Sequence, residues 1–316
     1  RLWSLLRTTI RLCARRRVQS EQMSLSRKSS PPVLLIRWVR VILRFAQAKP
    51  LAAVGALIIV AALVAAIFAP IIVLSDPLKV DTSRILVPPG RDAPLGTDFL
   101  GRDVLSRIIY GARISLYVAV SSITVSLIAG ALLGGVGAYF GSRIDMPIQR
   151  VMDAMMAFPS LVLALALMAS LGPNLNNVVA AIAIVYTPRT ARIIRSAVLA
   201  VKANQYTEAA RAVGCSHVRI LWRHIAPNCV APAIVIATVN LGVAISIEGS
   251  LSFIGVGVPP PTPSWGNMVA GAAIEMAQKA PYLPLFPGIA LTLTVLGFNL
   301  LGDALRDMLD PRLRTR

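Results

Sequence analysis

Side chains able to do acid–base, metal or nucleophilic chemistry are few in this sequence. Of its 316 residues, 14 are acidic, two are His and three are Cys. His217 and His224 stand seven positions apart in one basic stretch. That spacing places them on one helix face at best, and no carboxylate beside them completes a metal set, so they read as structural or partner-contacting groups. Cys13, Cys215 and Cys229 have neither metal nor redox spacing, and their odd number argues against a disulfide framework. The chain lacks the G-x-x-x-x-G-K-[ST] loop that cradles nucleotide phosphates. It also lacks a recognisable serine or cysteine nucleophile motif. It is therefore expected not to be an enzyme and to hold no metal or cofactor. Glu248 is the conspicuous ionisable group, because it lies in an apolar run. Such a group faces a cavity, a partner or another helix, or it sits at a helix end in reach of water; both readings stand. Asn240 and Asn299 read as pathway or interhelical hydrogen-bonding groups, and Asp303 as a group at the membrane edge.

The elements that must position these groups are membrane helices. The chain is 56% hydrophobic with a mean hydropathy of +0.70. Crossing a hydrocarbon core of roughly 30 Å takes about 20 apolar residues, and six such runs are expected: 51–74, 114–140, 151–171, 177–186 continuing as helix past Pro188, 230–250, and 285–301. The net charge of +18 suits anionic lipid better than nucleic acid, because the basic residues lie mostly outside the apolar runs. Aromatic and basic residues are not interleaved as a base-stacking surface requires.

Residues 1–50 hold twelve Lys or Arg and one acid, and no cleavable signal peptide is evident. Arg15 to Ser30 is expected to be disordered, and Leu34 to Phe45 to lie as an amphipathic helix on the membrane. Residues 75–113 form an outer loop in which Val104, Leu105, Ile108 and Ile109 predict a short interfacial helix, with Asp98 and Asp103 capping and Gly96 and Gly101 turning. Gly130, Gly134, Gly137 and Gly141 let helices approach closely. Residues 141–150 read as a turn, Phe158-Pro159 as a kink, 172–176 as a tight turn, and 249–284 as a long loop made rigid by its prolines, with Trp265 at the membrane interface. Six spans with the N-terminus inside place 25 of the 32 Lys and Arg on the inner side. The positive-inside rule then gives an N-in, C-in topology.

A polar island, 208–228, interrupts the apolar runs. Glu208-Ala209-Ala210, Gly214 four residues on, and Pro227 a dozen further predict two short helices joined at Gly214, with Ser216 capping the second. Val218, Leu221, Trp222 and Ile225 form an apolar stripe on it, off which lie Arg219 and Arg223. This stretch closely resembles the EAA loop of permeases in ATP-binding cassette (ABC) importers. Two further blocks, LGTDFLGRDVLSRIIYGARISL at 95–116 and PPTPSWG at 260–266, resemble the dipeptide, oligopeptide and nickel branch, and the second permease of its dipeptide systems in particular. Ala226 departs from the larger aliphatic residue usual before the proline. Met23 opens a segment like the usual permease start, so residues 1–22 are expected to be a misassigned extension.

The resemblance covers roughly Pro50 to Arg312. It implies an all-α polytopic protein of the type-I importer permease fold in a prokaryotic cytoplasmic membrane. Residues 51–74 form an edge helix, 114–303 the core with a cytoplasmic coupling loop at 201–228, and 304–316 a cytoplasmic tail. It implies a homologous second permease, two cytoplasmic ATPases that bind ATP and Mg, and an extracytoplasmic solute-binding protein. Di- or oligopeptides are the implied cargo; nickel, haem or another solute on the same architecture, and a non-transport scaffold, are the alternatives. Glu208, Ala209, Ala210, Arg211 and Gly214 are the implied contacts to the ATPase.

Overall fold

The computed structural model describes residues 49–309 except 74 and 277, together with residue 47. The expected disordered stretch, surface helix and extension before residue 47 lie outside the described residues, as does the end of the tail. The described residues from 51 onward form one compact unit. Among the described residues every regular element is helical: α1 (Pro50–Ile72), α2 (Val104–Phe140), α3 (Ser142–Met156), α4 (Ser160–Leu171), α5 (Leu175–Lys202), α6 (Gln205–Ala212), α7 (His217–Phe253), α8 (Trp265–Glu275) and α9 (Tyr282–Leu309).

Among the described residues four helices are long and apolar enough to cross a membrane, α1, α2, α7 and α9, and a fifth crossing arises if α3 and α4 count as one bent span. The 28 residues of α5 reach about 42 Å, but Arg189, Arg192 and Arg195 dilute their apolarity. Burial explains why α5 tolerates this. It forms the most extensive helix pair of the chain, with α2, and Val178, Ala181, Ile182, Ala191 and Ile194 all face protein. Small residues set the spacing of that pair. A Cβ on Gly134 would lie 2.1 Å from the Ala191 carbonyl oxygen, so the two backbones touch, the packing mode open to helices in lipid. Gly55 and Gly297 bring α1 against α9 in the same way.

Several boundaries differ from those expected. The separate interfacial helix at 104–109 is instead the first part of α2, which runs unbroken for 37 residues. Asp103 caps it, accepting from Ser106 N at 2.8 Å, and nothing between Ser106 and Ile114 breaks the backbone pattern. Residues 142–150, read as a turn, belong to α3. That helix is held to α5 by a bidentate pair from Arg195 to Asp145 (2.6–3.0 Å) and by Arg192 to Asp153 at 2.6 Å. The expected kink at Phe158-Pro159 is a 93° bend. Proline disfavours helical backbone in the residue before it. The run 151–171 is therefore split, and the 12 residues of α4 span only about 18 Å. The loop 249–284 contains the ends of α7 and α9 and all of α8. Trp265, expected at the interface, is 2% exposed. Its Nε1 donates to the Ile108 carbonyl at 3.0 Å, which gives the indole N–H the partner that burial demands.

Candidate functional site: the coupling surface

The island lies at the end of the bundle where α2 and α5 terminate and α7 begins. Its geometry starts at Gly214, whose φ of +78° is a conformation that side chains with a Cβ resist. Gly214 N donates to the Arg211 carbonyl and Cys215 N to that of Ala210, both at 3.1 Å. This pair of bonds is the Schellman arrangement that ends a helix sharply. Ser216 then caps the next helix, accepting from Arg219 N at 3.4 Å.

That next helix is not short. The expectation that Pro227 follows its end is corrected: α7 passes through Pro227 and continues to Phe253. Residues Leu221–Ile225 form a π-helical turn that ends one residue before the proline. Proline offers no N–H and crowds the carbonyl four residues earlier, so a locally widened turn lets the helix continue. Asn228 Nδ2 donates to the His224 carbonyl at 2.7 Å, supplying a donor in the distorted region.

A rigid base lies under the island. Lys202, the last residue of α5, donates through Nζ to the Ala138 and Tyr139 carbonyls at 3.1 and 2.8 Å. It thus places a cation on the C-terminal carbonyls of α2, where the helix dipole favours one. The fully buried Thr207 of α6 donates to the Val201 carbonyl at 3.0 Å. Tyr139 Oη and His217 Nδ1 are hydrogen-bonded at 2.8 Å. Ala210, Ile220, Ile225 and Cys229 pack with Ile194, Val198 and Val201 in a small core below. The ends of α2, α5, α6 and α7 are therefore one mechanical unit. Replacing Lys202 with Ala removes both caps and is expected to cost about 1–2 kcal/mol, read as a lower Tm of the purified protein.

The outward face is unlike the base. Glu208, Ala209, Arg211 and Gly214 are exposed, whereas Ala210 is buried. The expected apolar stripe divides: Ile225 is buried and Leu221 half-buried, while Val218 is 65% and Trp222 75% exposed. Val213 is 79% exposed as well, and the charged Glu208, Arg211, Arg219 and Arg223 neighbour these apolar residues in the chain. Exposed apolar groups rimmed by charge mark a protein contact surface.

The other predicted polar residues lie elsewhere. Glu248 sits within α7 and has no exposed surface, so its reading as a water-reaching helix-end carboxylate is corrected. It accepts from Ser115 Oγ of α2 at 3.0 Å and from Ser252 Oγ at 2.9 Å. Ser115 Oγ and Ser252 Oγ in turn accept from Trp265 N and Val258 N, each at 3.3 Å. The carboxylate thereby ties α2, α7 and the segment before α8 together. Asn240, two turns earlier, is fully buried with neither amide atom hydrogen-bonded, and Asn299 is exposed on α9 near Gly242. These three residues do not converge on one site. Lys202, Thr207, Tyr139 and the serines around Glu248 escaped the sequence reading. Of these only Lys202, a cation at a helix end, left a local signal. Among the described residues no cluster of His, Cys, Asp and Glu could hold a metal ion.

Comparison with known proteins agrees with this architecture. Residues 122–315 match the family described as binding-protein-dependent transport system inner membrane component. The dipeptide transport system permease protein DppC of Alkalihalophilus pseudofirmus is 44% identical over 265 residues, 84% of this chain and 87% of that protein. The di/tripeptide transport system permease protein DppC of Pseudomonas aeruginosa is 45% identical over 79% of this chain and 84% of its own length. A chain of the MetNI methionine ABC transporter, solved in inward-facing conformations, shares the fold with a TM-score of 0.54, covering 65% of this chain and 96% of that one, at 15% identity. The chain belongs to the family of binding-protein-dependent transport system inner membrane components, the multi-pass permeases of ABC importers.

Proposed function

We propose that this chain is one of two homologous permeases in an ATP-driven importer of di- and oligopeptides, and that its exposed island is where an ATPase subunit docks. The observation that carries the proposal is the pairing of an exposed patch with a rigid base. Glu208, Val213, Val218 and Trp222 face outward, Thr207 and Tyr139 tie the same segment to α5 and α2, and Lys202 ties the ends of those two helices together. A push on the patch would move those helices rather than bend the loop. The dipeptide and di/tripeptide systems of the two relatives support the cargo, and the family description supports an extracytoplasmic binding protein as partner. The permease itself catalyses nothing in this reading; ATP and Mg belong to the ATPases. Six crossings with both termini cytoplasmic complete the proposal, α5 being the sixth. It packs against α2, α3, α4 and α7.

The test is uptake of radiolabelled Ala-Ala into proteoliposomes carrying the permease pair, its ATPases and the binding protein. Glu208→Lys, which reverses the charge on the exposed face, is expected to abolish uptake at wild-type membrane abundance. Wild-type uptake by this variant would contradict the docking assignment.

A further inference from the structure

At the end of the bundle opposite the island, two arginines share one carboxylate. Arg102 Nε lies 2.7 Å and Arg107 Nε 3.6 Å from Asp98 Oδ2. All three side chains are at least nine-tenths buried, with 9%, 7% and 9% of the Arg102, Arg107 and Asp98 side chains exposed. Asp98 is already heavily used, since its Oδ1 accepts from Leu100 N and Arg102 N, both at 2.9 Å. Asp103, the next acid, accepts from Ser106 at the start of α2. The buried cluster of Asp98, Arg102 and Arg107 therefore carries one positive charge in excess.

The donors are also in excess. A guanidinium presents five N–H groups. Beyond the Asp98 bond, these two side chains make one further hydrogen bond among the described residues, from Arg107 to the Pro77 carbonyl at 3.1 Å. Arg102 and Arg107, with Asp98 between their charges, line a pocket of about 130 Å³. At roughly 30 Å³ per water, that is room for about four waters, or for a carboxylate with a few carbons. Its other walls are mainly apolar, from Phe99, Val104, Met268 and Leu283. Asn267 also reaches it, but its amide is held by Ser264 N at 3.1 Å and the Thr262 carbonyl at 2.6 Å. Buried cations with unfilled planar donors match a carboxylate, which can accept two parallel N–H bonds from an arginine.

We propose that this pocket binds a small carboxylate, with its oxygens on Arg102 and Arg107 and its short tail against the apolar wall. Two sources have this chemistry: the terminal carboxylate of a peptide cargo, or a free short-chain organic acid. The site itself does not depend on the cargo assignment.

The test titrates the full chain, in its transporter complex in lipid nanodiscs, with ¹³C-acetate and, as the neutral control, acetamide. Saturable acetate binding in the millimolar range is expected, with acetamide at least tenfold weaker. Gly271→Val narrows the pocket without touching the charges. A Cβ there would meet only Phe99, at 3.8 Å, so the fold should tolerate it while acetate affinity falls at least tenfold. Displacement of acetate by Ala-Ala but not by Ala-Ala amide would assign the site to a peptide terminus. Displacement by propionate and butyrate alone would assign it to free acids, and either outcome supports the carboxylate site. Equal binding of acetate and acetamide by the wild-type protein overturns the proposal without reference to any variant, as does undiminished acetate binding by a folded Gly271→Val protein.

Discussion

Gly214→Pro is expected to abolish uptake while leaving the chain in the membrane. Proline fixes φ near −65°, whereas residue 214 sits at +78° and donates its N–H to the Arg211 carbonyl. The Schellman turn is lost at a local cost of about 3 kcal/mol or more. The turn projects from the bundle, and a Cβ at 214 would meet nothing within 4 Å, so the damage stays within the island. What changes is the direction in which α6 presents Glu208 and Ala209. A graded series separates this account from mere loop disruption. Gly214→Asn tolerates the left-handed conformation and should transport best, while Gly214→Ala, strained by about 1 kcal/mol, should fall between it and proline. Uptake measured against membrane abundance reads the order. Equal transport by all three would mean that the turn has no mechanical role.

The second large effect concerns the α2–α5 seam. Gly134→Ala and Gly135→Ala add the same methyl group at adjacent positions, yet opposite outcomes are expected. At 134 the methyl carbon would stand 2.1 Å from the Ala191 carbonyl oxygen and 2.8 Å from its carbon; at 135 it would meet nothing within 4 Å. Backbone cannot give way as a flexible side chain does, so Gly134→Ala must separate the helices, at an expected cost of about 3 kcal/mol. Gly135→Ala should be neutral or stabilising by about 0.5–1 kcal/mol, since alanine is the better helix former. Membrane abundance and the Tm of the purified proteins distinguish the two. The prediction bears on the proposed function because this seam would carry movement from the island: Tyr139 at the end of α2 holds His217 of the island, and Lys202 at the end of α5 holds the end of α2.

What the sequence made legible was whatever depends on residues close together in the chain. Asp103 as a helix cap, the turn glycines at 96, 101 and 214, and the proline bend at 158–159 follow from local backbone chemistry, and the structure contains them. The apolar runs gave four of the crossings directly. Reading failed where distant segments decide. Trp265 looks interfacial by composition, and only the approach of Ile108, 157 positions away, gives its N–H a buried partner. Glu248 meets Ser115 across 133 positions, a pairing that no local pattern announces. The start of α2 misled for a related reason. Its polar residues suggested a short, separate interfacial helix, but Arg107 is buried against Asp98. Likewise, Val218 and Trp222 have the spacing of a core stripe, but among the described residues nothing covers them. A stripe that a partner buries has the same periodicity as one buried by its own fold.

That distinction decides the account, and one measurement addresses it directly. A photoreactive amino acid placed at Ala209, exposed on the island's outer face, would be irradiated in the intact complex in native membranes. Because Ala209 adjoins Glu208 on the proposed docking face, the dominant product should be a covalent adduct between this chain and an ATPase subunit. The same label at Leu132, 60% exposed on α2 and about 10 Å along the helix from Tyr139, should give none. An adduct with the ATPase from position 132 but not from 209, or crosslinks from 209 to lipid alone, would contradict the claim that this island is the coupling surface.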